Sequence, residues 1–330
     1  MTNEELQNFY FGAYAFEESP EGWLQAFQYT KAQMEYFKSA FDFWYERCSA
    51  TSAKTIEFET EATRISFDYR FIWLGSPDSF ELSLDGLITN IVYVKDLLEK
   101  NGRAKNGESE LKLPIDGRIE WEIPEGKKSV VIYLPADATI LIRNFEVNAV
   151  VKRPEKNAKV LWFGDSITQG YGPLRSAMTY VSVANRLLDY EIINQGIGGY
   201  IYDKKSLMKM EGYNPDKIIV ALGTNQFQSE SMKDVEEYYE KLIDIYGNEI
   251  PVLCISPVWR GDQPENSDKF VSFCENIKKI AGSYKNVKIA DGFSLIPHLK
   301  EYYLDGLHPN CLGAENYGRN LVEKIGRLGF

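Results

Sequence analysis

Histidine is scarce in this chain, with two in 330 residues, His298 and His308. His308 lies in "LDGLHPN", with Asp305 three residues before it and Pro309 directly after it. The residue before a proline is pushed out of helical backbone, which predicts a loop here. In a loop, a carboxylate three positions back can accept a hydrogen bond from Nδ1–H, fix the tautomer and leave Nε2 facing outward as a base. An imidazole, as a class titrating near about 6.5, is suited to taking a hydroxyl proton at neutral pH. The plainer reading is a loop histidine with satisfied hydrogen bonds, and His298 in "IPHL" is the candidate for that role.

A base of this kind needs a nucleophile and a place for developing negative charge. Ser166 in "GDSITQG" follows the apolar run "KVLWF" and is flanked by Gly164 and Gly170. At a strand-to-helix turn its hydroxyl is exposed and its amide can point at an oxyanion; Asp and Ser are equally the favoured helix N-caps. The string is not the GxSxG elbow of α/β-hydrolases. "QGIGGY" carries Gly196, Gly198 and Gly199, which allow positive φ and close backbone approach to a ligand, or form a flexible loop. Its GxGG spacing is not a GxGxxG dinucleotide fingerprint. "GTNQF" places Asn225 after "KIIVAL", where its side-chain amide can donate to an oxyanion or close an Asx-turn. Trp259 and Arg260 in "SPVWRGD" fall at the rim of the same face, as substrate contacts or as a lid on the core.

These residues follow one another at the ends of apolar runs because of the elements that carry them. "KVLWFG", "EIINQG", "KIIVALG", "PVLCISP" and "NVKIADG" are compact runs of the kind buried parallel strands need. Between them lie "SAMTYVSVANRLL", "MKDVEEYYEKLIDIYG" and "SDKFVSFCENIKKIAGSY", and "GAENYGRNLVEKIGRL" closes the chain, all with helical periodicity. Strands alternating with helices predict an α/β unit with a parallel sheet, and ligands bind at the carboxyl ends of such strands. The earlier half has a different rhythm. "KTIEFETE", "TRISFDYRFIW", "SFELSLDG", "ITNIVYV", "RIEWEIP", "KSVVIYLP" and "ATILIRNFEV" alternate and are rich in β-branched and aromatic residues. They predict an all-β sandwich of jelly-roll type. One helical stretch, "TKAQMEYFKSAF", interrupts early, and "EKNGRAKNGESE" reads as an exposed loop. The charged linker "KRPEKNAK" sets the expected boundary, with a sandwich over 1–153 and an α/β domain over 154–330.

The order of the chemical residues carries a resemblance. The stretch from about 155 to 330 resembles the SGNH hydrolases, also called the GDSL esterase/lipase superfamily. "GDSITQG" is similar to its first block, "NQGIGGY" to the second, "GTNQ" to the third and "DGLHP" to the last. The resemblance implies a three-layer α/β/α domain with Ser166 as nucleophile and Asp305 and His308 completing a triad. It implies an oxyanion hole from Ser166, Gly196 and Asn225, and no cofactor. Gln226 departs from the pattern, standing where many members carry aspartate. A β-sandwich paired with such a domain is similar to two-domain carbohydrate esterases that remove acetyl groups from sugars.

The bulk composition is consistent with a small polar ester or an oligosaccharide ester as substrate. The net charge of -11 repels a phosphate backbone and argues against nucleic acid. No apolar run approaches a membrane span, and the N-terminus lacks a signal-peptide pattern, which together predict a cytoplasmic protein. Cys48, Cys254, Cys274 and Cys311 have no CxxC spacing and read as buried or idle thiols. The histidines lack H-x-H or HExxH spacing, so no metal site is expected. The rival readings are a lipase, lysophospholipase or thioesterase with a longer acyl pocket, a glycosidase built on two opposed carboxylates, and a non-catalytic carbohydrate-binding protein.

Overall fold

The computed structural model describes residues 1–76, 78–100, 112–229 and 231–330. The expected exposed loop at 99–110 lies, from residue 101 on, outside the described residues.

Two antiparallel sheets occupy the first half. One has the order β1 (Tyr10–Phe11), β4 (Thr55–Thr60), β9 (Lys128–Tyr133), β6 (Ser79–Leu84), β7 (Leu87–Tyr93), with β11 (Val151–Lys152) also on β4. The other runs β2 (Ala15–Glu18), β3 (Leu24–Phe27), β10 (Ala138–Val147), β5 (Arg64–Leu74), β8 (Ile115–Glu122). Alternate residues of the two sheets, such as Phe58, Leu82, Val130 and Phe67, Ile119, Ile142, share one core. The period of two puts every second side chain there. Four helices belong to this half among the described residues: α1 (Asn3–Gln7), α2 (Lys31–Ala40), α3 (Asp42–Cys48) and α4 (Val94–Lys100). The expected helix over "TKAQMEYFKSAF" is α2, and its capping box at Thr30 and Gln33 explains its start.

The second half is a parallel sheet in the order β13 (Glu191–Gly196), β12 (Lys159–Gly164), β14 (Lys217–Ala221), β15 (Val252–Ile255), β16 (Val287–Ala290). Its strands are apolar on both faces because helices cover both. Leu161, Phe163, Ile218 and Val220 face one core with α7 (Lys233–Tyr246) and α8 (Ser267–Ala281). Val160, Trp162 and Ile219 face another with α6 (Tyr180–Leu188) and α9 (Cys311–Leu328). A single short turn of helix, α5 (Ser166–Gln169), follows β12. Cys48, Cys254 and Cys274 are buried free thiols, and burial pushes each up to about 12. Among the described residues no helix is long and apolar enough to cross a membrane.

The halves meet in part through polar side chains. In β6, Phe80, Leu82 and Leu84 enter the sandwich core, so Ser79, Glu81 and Ser83 point the other way. That face is buried against the α/β half. Arg175 Nη2 donates to Glu81 Oε2 at 2.5 Å, the Ala177 amide to Glu81 Oε1 at 3.1 Å, and Ser176 Oγ to the Ser79 carbonyl at 2.8 Å. Glu81 is fully buried. Removing one partner of a buried pair leaves an uncompensated charge, at a cost on the order of 3 kcal/mol. Arg175→Met is therefore expected to lower stability by about that amount in denaturant unfolding; a loss within about 0.5 kcal/mol, as for a surface position, would contradict the pairing.

Candidate active site

The ends of β12, β13 and β14 and the loop before α9 converge on one cavity of about 450 Å³. Asp165 caps α5, accepting from the Ile167 amide at 3.0 Å, and so sets Ser166 as the first helical residue. Ser166 Oγ lies 2.9 Å from His308 Nε2, and His308 Nδ1 lies 2.8 Å from Asp305 Oδ2. The other oxygen, Asp305 Oδ1, accepts the backbone amides of His308 at 2.8 Å and Leu307 at 3.0 Å. Partial burial works to raise the Asp305 carboxyl, but these three hydrogen bonds outweigh it and hold it below its ordinary value. The carboxylate thus stays ionised to accept Nδ1–H, which leaves Nε2 as the basic nitrogen toward the serine.

The loop that carries His308 is pinned on several sides. The Leu304 amide donates to the His308 carbonyl at 2.8 Å, and Tyr303 bridges to Pro309. The Tyr171 ring meets the imidazole edge-to-face, centroids 4.6 Å apart. Gly172, at φ +125°, has no room for a Cβ because the Pro309 carbonyl occupies that place. A side chain there would push the imidazole off the serine.

The groups expected to form an oxyanion hole, Ser166, Gly196 and Asn225, are only partly brought together. The Gly196 amide donates to Asn194 Oδ1 at 2.9 Å, and Gly196 does not line the cavity. Its glycine serves packing: an added Cβ would lie 2.5 Å from the Gln169 amide nitrogen, so β13 could not close on α5. Gly199 occupies the position expected of Gly196. It lines the cavity at φ +69°, and its amide, like that of Ser166, has no acceptor among the described residues. The Gly198 amide is spent on Gln169 Oε1 at 2.6 Å. Asn225 also lines the cavity; its Nδ2 donates to the Tyr200 carbonyl at 2.8 Å, which orients the amide and leaves its second N–H for the cavity. Gln226 accepts the Tyr202 amide at 2.6 Å and so holds the neighbouring loop.

Trp259 and Arg260 are not brought to this cavity. They line a separate cleft of about 190 Å³ with Phe227, Phe293 and His298. Trp259 stacks on His298, with ring planes 9° apart. Arg260 forms a two-point pair with Asp262, at 2.8 and 2.6 Å, and donates to the Thr224 carbonyl at 2.8 Å. With its guanidinium committed this way, Arg260 steadies the residue before Asn225 rather than facing a ligand. His298 bonds the Phe293 carbonyl at 2.9 Å, as a satisfied loop histidine does.

Four cavity residues come from the first half: Phe43 and Arg47 on α3, Gly75, and Asp137. Sequence reading missed them. Nothing local marks them as functional; the one available signal is a cluster of aromatics and an arginine in "FDFWYERC", beyond the helix expected there.

Comparison with known proteins fits this geometry. Residues 162–315 match the model of the GDSL-like lipase/acylhydrolase family. A multidomain esterase of Ruminococcus flavefaciens is 33% identical over 122 residues, covering 34% of this chain and 16% of that protein, so the match spans about a sixth of the relative's length. Solved structures share the two-part fold at low identity. The salicylyl-acyltransferase SsfX3 of a tetracycline biosynthetic pathway superposes with TM-score 0.76 at 17% identity, over 97% of this chain and 94% of that one. A family two carbohydrate esterase from Clostridium thermocellum, in complex with cellohexaose, gives 0.60 at 16% identity, over 85% and 94%. An acetyl xylan esterase from Butyrivibrio proteoclasticus gives 0.54 at 15% identity, over 84% and 90%.

Behind Ser166, Asp165 is 3% exposed, and burial pushes its carboxyl up to about 7 against the backbone hydrogen bonds that lower it. The unfolded chain, with an ordinary aspartate near about 3.9, releases that proton earlier. Stability from this group is therefore present below about pH 4 and lost as the pH rises through about 7. Asp165→Asn keeps a favoured N-cap and removes the titration. Its Tm relative to the wild type is expected to rise between about pH 4 and about pH 8; a difference independent of pH would contradict the buried-carboxyl account.

Proposed function

We propose that this protein is a serine esterase that hydrolyses short-chain acyl esters, acetyl above all, on a carbohydrate or other small polar alcohol. The hydrogen-bonded chain from Ser166 through His308 to Asp305 is the observation that carries this reading. Ser166 Oγ attacks the ester carbonyl carbon as its proton passes to His308 Nε2. The oxyanion that forms accepts from the amides of Ser166 and Gly199 and from the second N–H of Asn225 Nδ2, as a preorganised set of donors would. The protonated imidazole then gives its proton to the departing alcohol oxygen, leaving an acyl-serine. Water attacks that ester while the same nitrogen takes its proton, and Ser166 is released with the free acid. Asp305 stays ionised throughout and stabilises the imidazolium.

Three observations support the substrate class. The cavity, at about 450 Å³, is of a size for small ligands. Phe43 and Tyr171 add aromatic side chains to its lining. The fold neighbours include carbohydrate esterases, one of them described with bound cellohexaose. A long-chain lipase or thioesterase would use the same proton path with a deeper acyl pocket.

Fluorophosphonate is expected to label Ser166, and Ser166→Ala to abolish both labelling and hydrolysis of p-nitrophenyl acetate; wild-type activity in that variant overturns the assignment. Asp305→Asn should lower kcat by about 10³ to 10⁴ through loss of the productive tautomer. On an acyl series the acetyl ester is expected to be turned over faster than the octanoyl ester, judged by kcat/KM. The reverse order would replace this reading with the long-chain one.

A further inference from the structure

Arg47 is the one lysine or arginine among the described residues that line the Ser166 cavity. It arrives there from the first half, on α3, one helical turn after Phe43. Both side chains lie on the glycine loop that presents the Gly199 amide. A Cβ added at Gly198 would lie 2.9 Å from Arg47 Cδ, and one at Gly199 would lie 3.3 Å from Phe43 Cε1. The guanidinium carbon sits 3.4 Å from the Phe43 ring centroid and 5.2 Å from that of Trp73, so two aromatic rings flank it.

Its hydrogen-bonding capacity is only partly used. Nη1 donates to the Phe43 carbonyl at 3.0 Å and reaches Glu46 Oε2 on the exposed rim at 3.4 Å. Nε and Nη2 have no acceptor among the described residues. Asp137, the buried carboxylate that shares the cavity, is engaged elsewhere: Gln169 Nε2 donates to it at 2.6 Å and Ser76 Oγ at 2.8 Å. Among the described residues no ion pair joins Asp137 to Arg47. Burial lowers the Arg47 pKa, with Asp137 and Glu46 opposing it, so the cation is only partly compensated. A guanidinium flanked by two rings at a cavity wall, with Nε and Nη2 unpaired among the described residues, can bind a carboxylate through two parallel hydrogen bonds. With a chain charge of -11, an anionic substrate needs a local cation of this kind.

We infer that Arg47 is a specificity-determining residue that selects esters bearing a carboxylate near the scissile bond, an inference that rests on the esterase reading above. The carboxylate can belong to the acyl group or to the alcohol, as in a uronic acid. The two are separated by two substrate pairs: monoethyl succinate against ethyl butyrate, and acetylated glucuronate against acetylated glucose. In at least one pair the anionic member is expected to be favoured about tenfold or more in kcat/KM, chiefly through KM. Arg47→Met should reduce that anionic-to-neutral ratio by about tenfold, whatever it does to the neutral ester, and Arg47→Lys should keep part of it. A purely structural arginine would lower both members of a pair alike, leaving the ratio unchanged. The inference is overturned if neither pair shows the preference, if Arg47→Met leaves the ratio intact, or if Ser166 is labelled by fluorophosphonate while all four esters resist hydrolysis. Failure of Ser166 to label, with no ester hydrolysed, instead removes the esterase reading beneath it.

Discussion

One hydrogen bond, 2.9 Å between Ser166 Oγ and His308 Nε2, joins two turns that lie 142 positions apart, and much of the architecture serves to hold it. The serine is set by β12 and the Asp165 cap; the histidine by a loop closed through Tyr303, Pro309 and Asp305. The two turns touch because Gly172 has no side chain where the Pro309 carbonyl passes. Behind the serine, Gly196 lets β13 close on α5, and Asn194 Nδ2 binds the Thr168 carbonyl at 2.8 Å. Proton transfer tolerates little error in heavy-atom distance, so such rigid support is what the chemistry requires.

The first half is part of that support. Ser52 Oγ donates to the Gln169 carbonyl at 2.6 Å and accepts from Asn194 at 2.9 Å, which ties it to the helix that begins at Ser166. Gln33 reaches Gln195 at 3.2 Å and the Ser206 carbonyl at 3.0 Å. Phe37 and Cys48 pack into the same core as α7 and α8. The sheets that would make a free-standing sandwich therefore bury a polar face against the α/β half, and that contact carries Phe43 and Arg47 to the cavity mouth.

The degree to which this was legible in sequence follows from how local each feature is. The parallel strands announce themselves because burial on both faces makes continuous apolar runs, as in "KVLWFG". Ser166, Asp305 and His308 stand out because a serine closely follows an apolar run and one of only two histidines lies three residues after an aspartate and just before a proline. The alternation in "SFELSL" was equally plain, but the destination of Glu81 was not: a polar face reads as solvated until a partner buries it. The glycines of "QGIGGY" look alike in sequence, open to ligand approach or to a flexible loop, and only φ and neighbour distances separate Gly196, which packs, from Gly199, which lines the cavity. Arg260 sits at a strand end like the others, but its partner Asp262 takes its donors. Arg47 lies on a helix of the other half, and long-range packing alone gives it a place.

The central claim is that one pocket presents a nucleophile, an oriented base and three oxyanion donors to a single carbonyl. A crystal structure of the protein after reaction with a fluorophosphonate tests it most directly. The account predicts a phosphorus bonded to Ser166 Oγ and its oxygen about 2.7–3.1 Å from the Ser166 amide, the Gly199 amide and Asn225 Nδ2, with His308 Nε2 still facing the serine oxygen. An adduct whose oxygen points to solvent, or a serine left unmodified with the imidazole turned away, would contradict it.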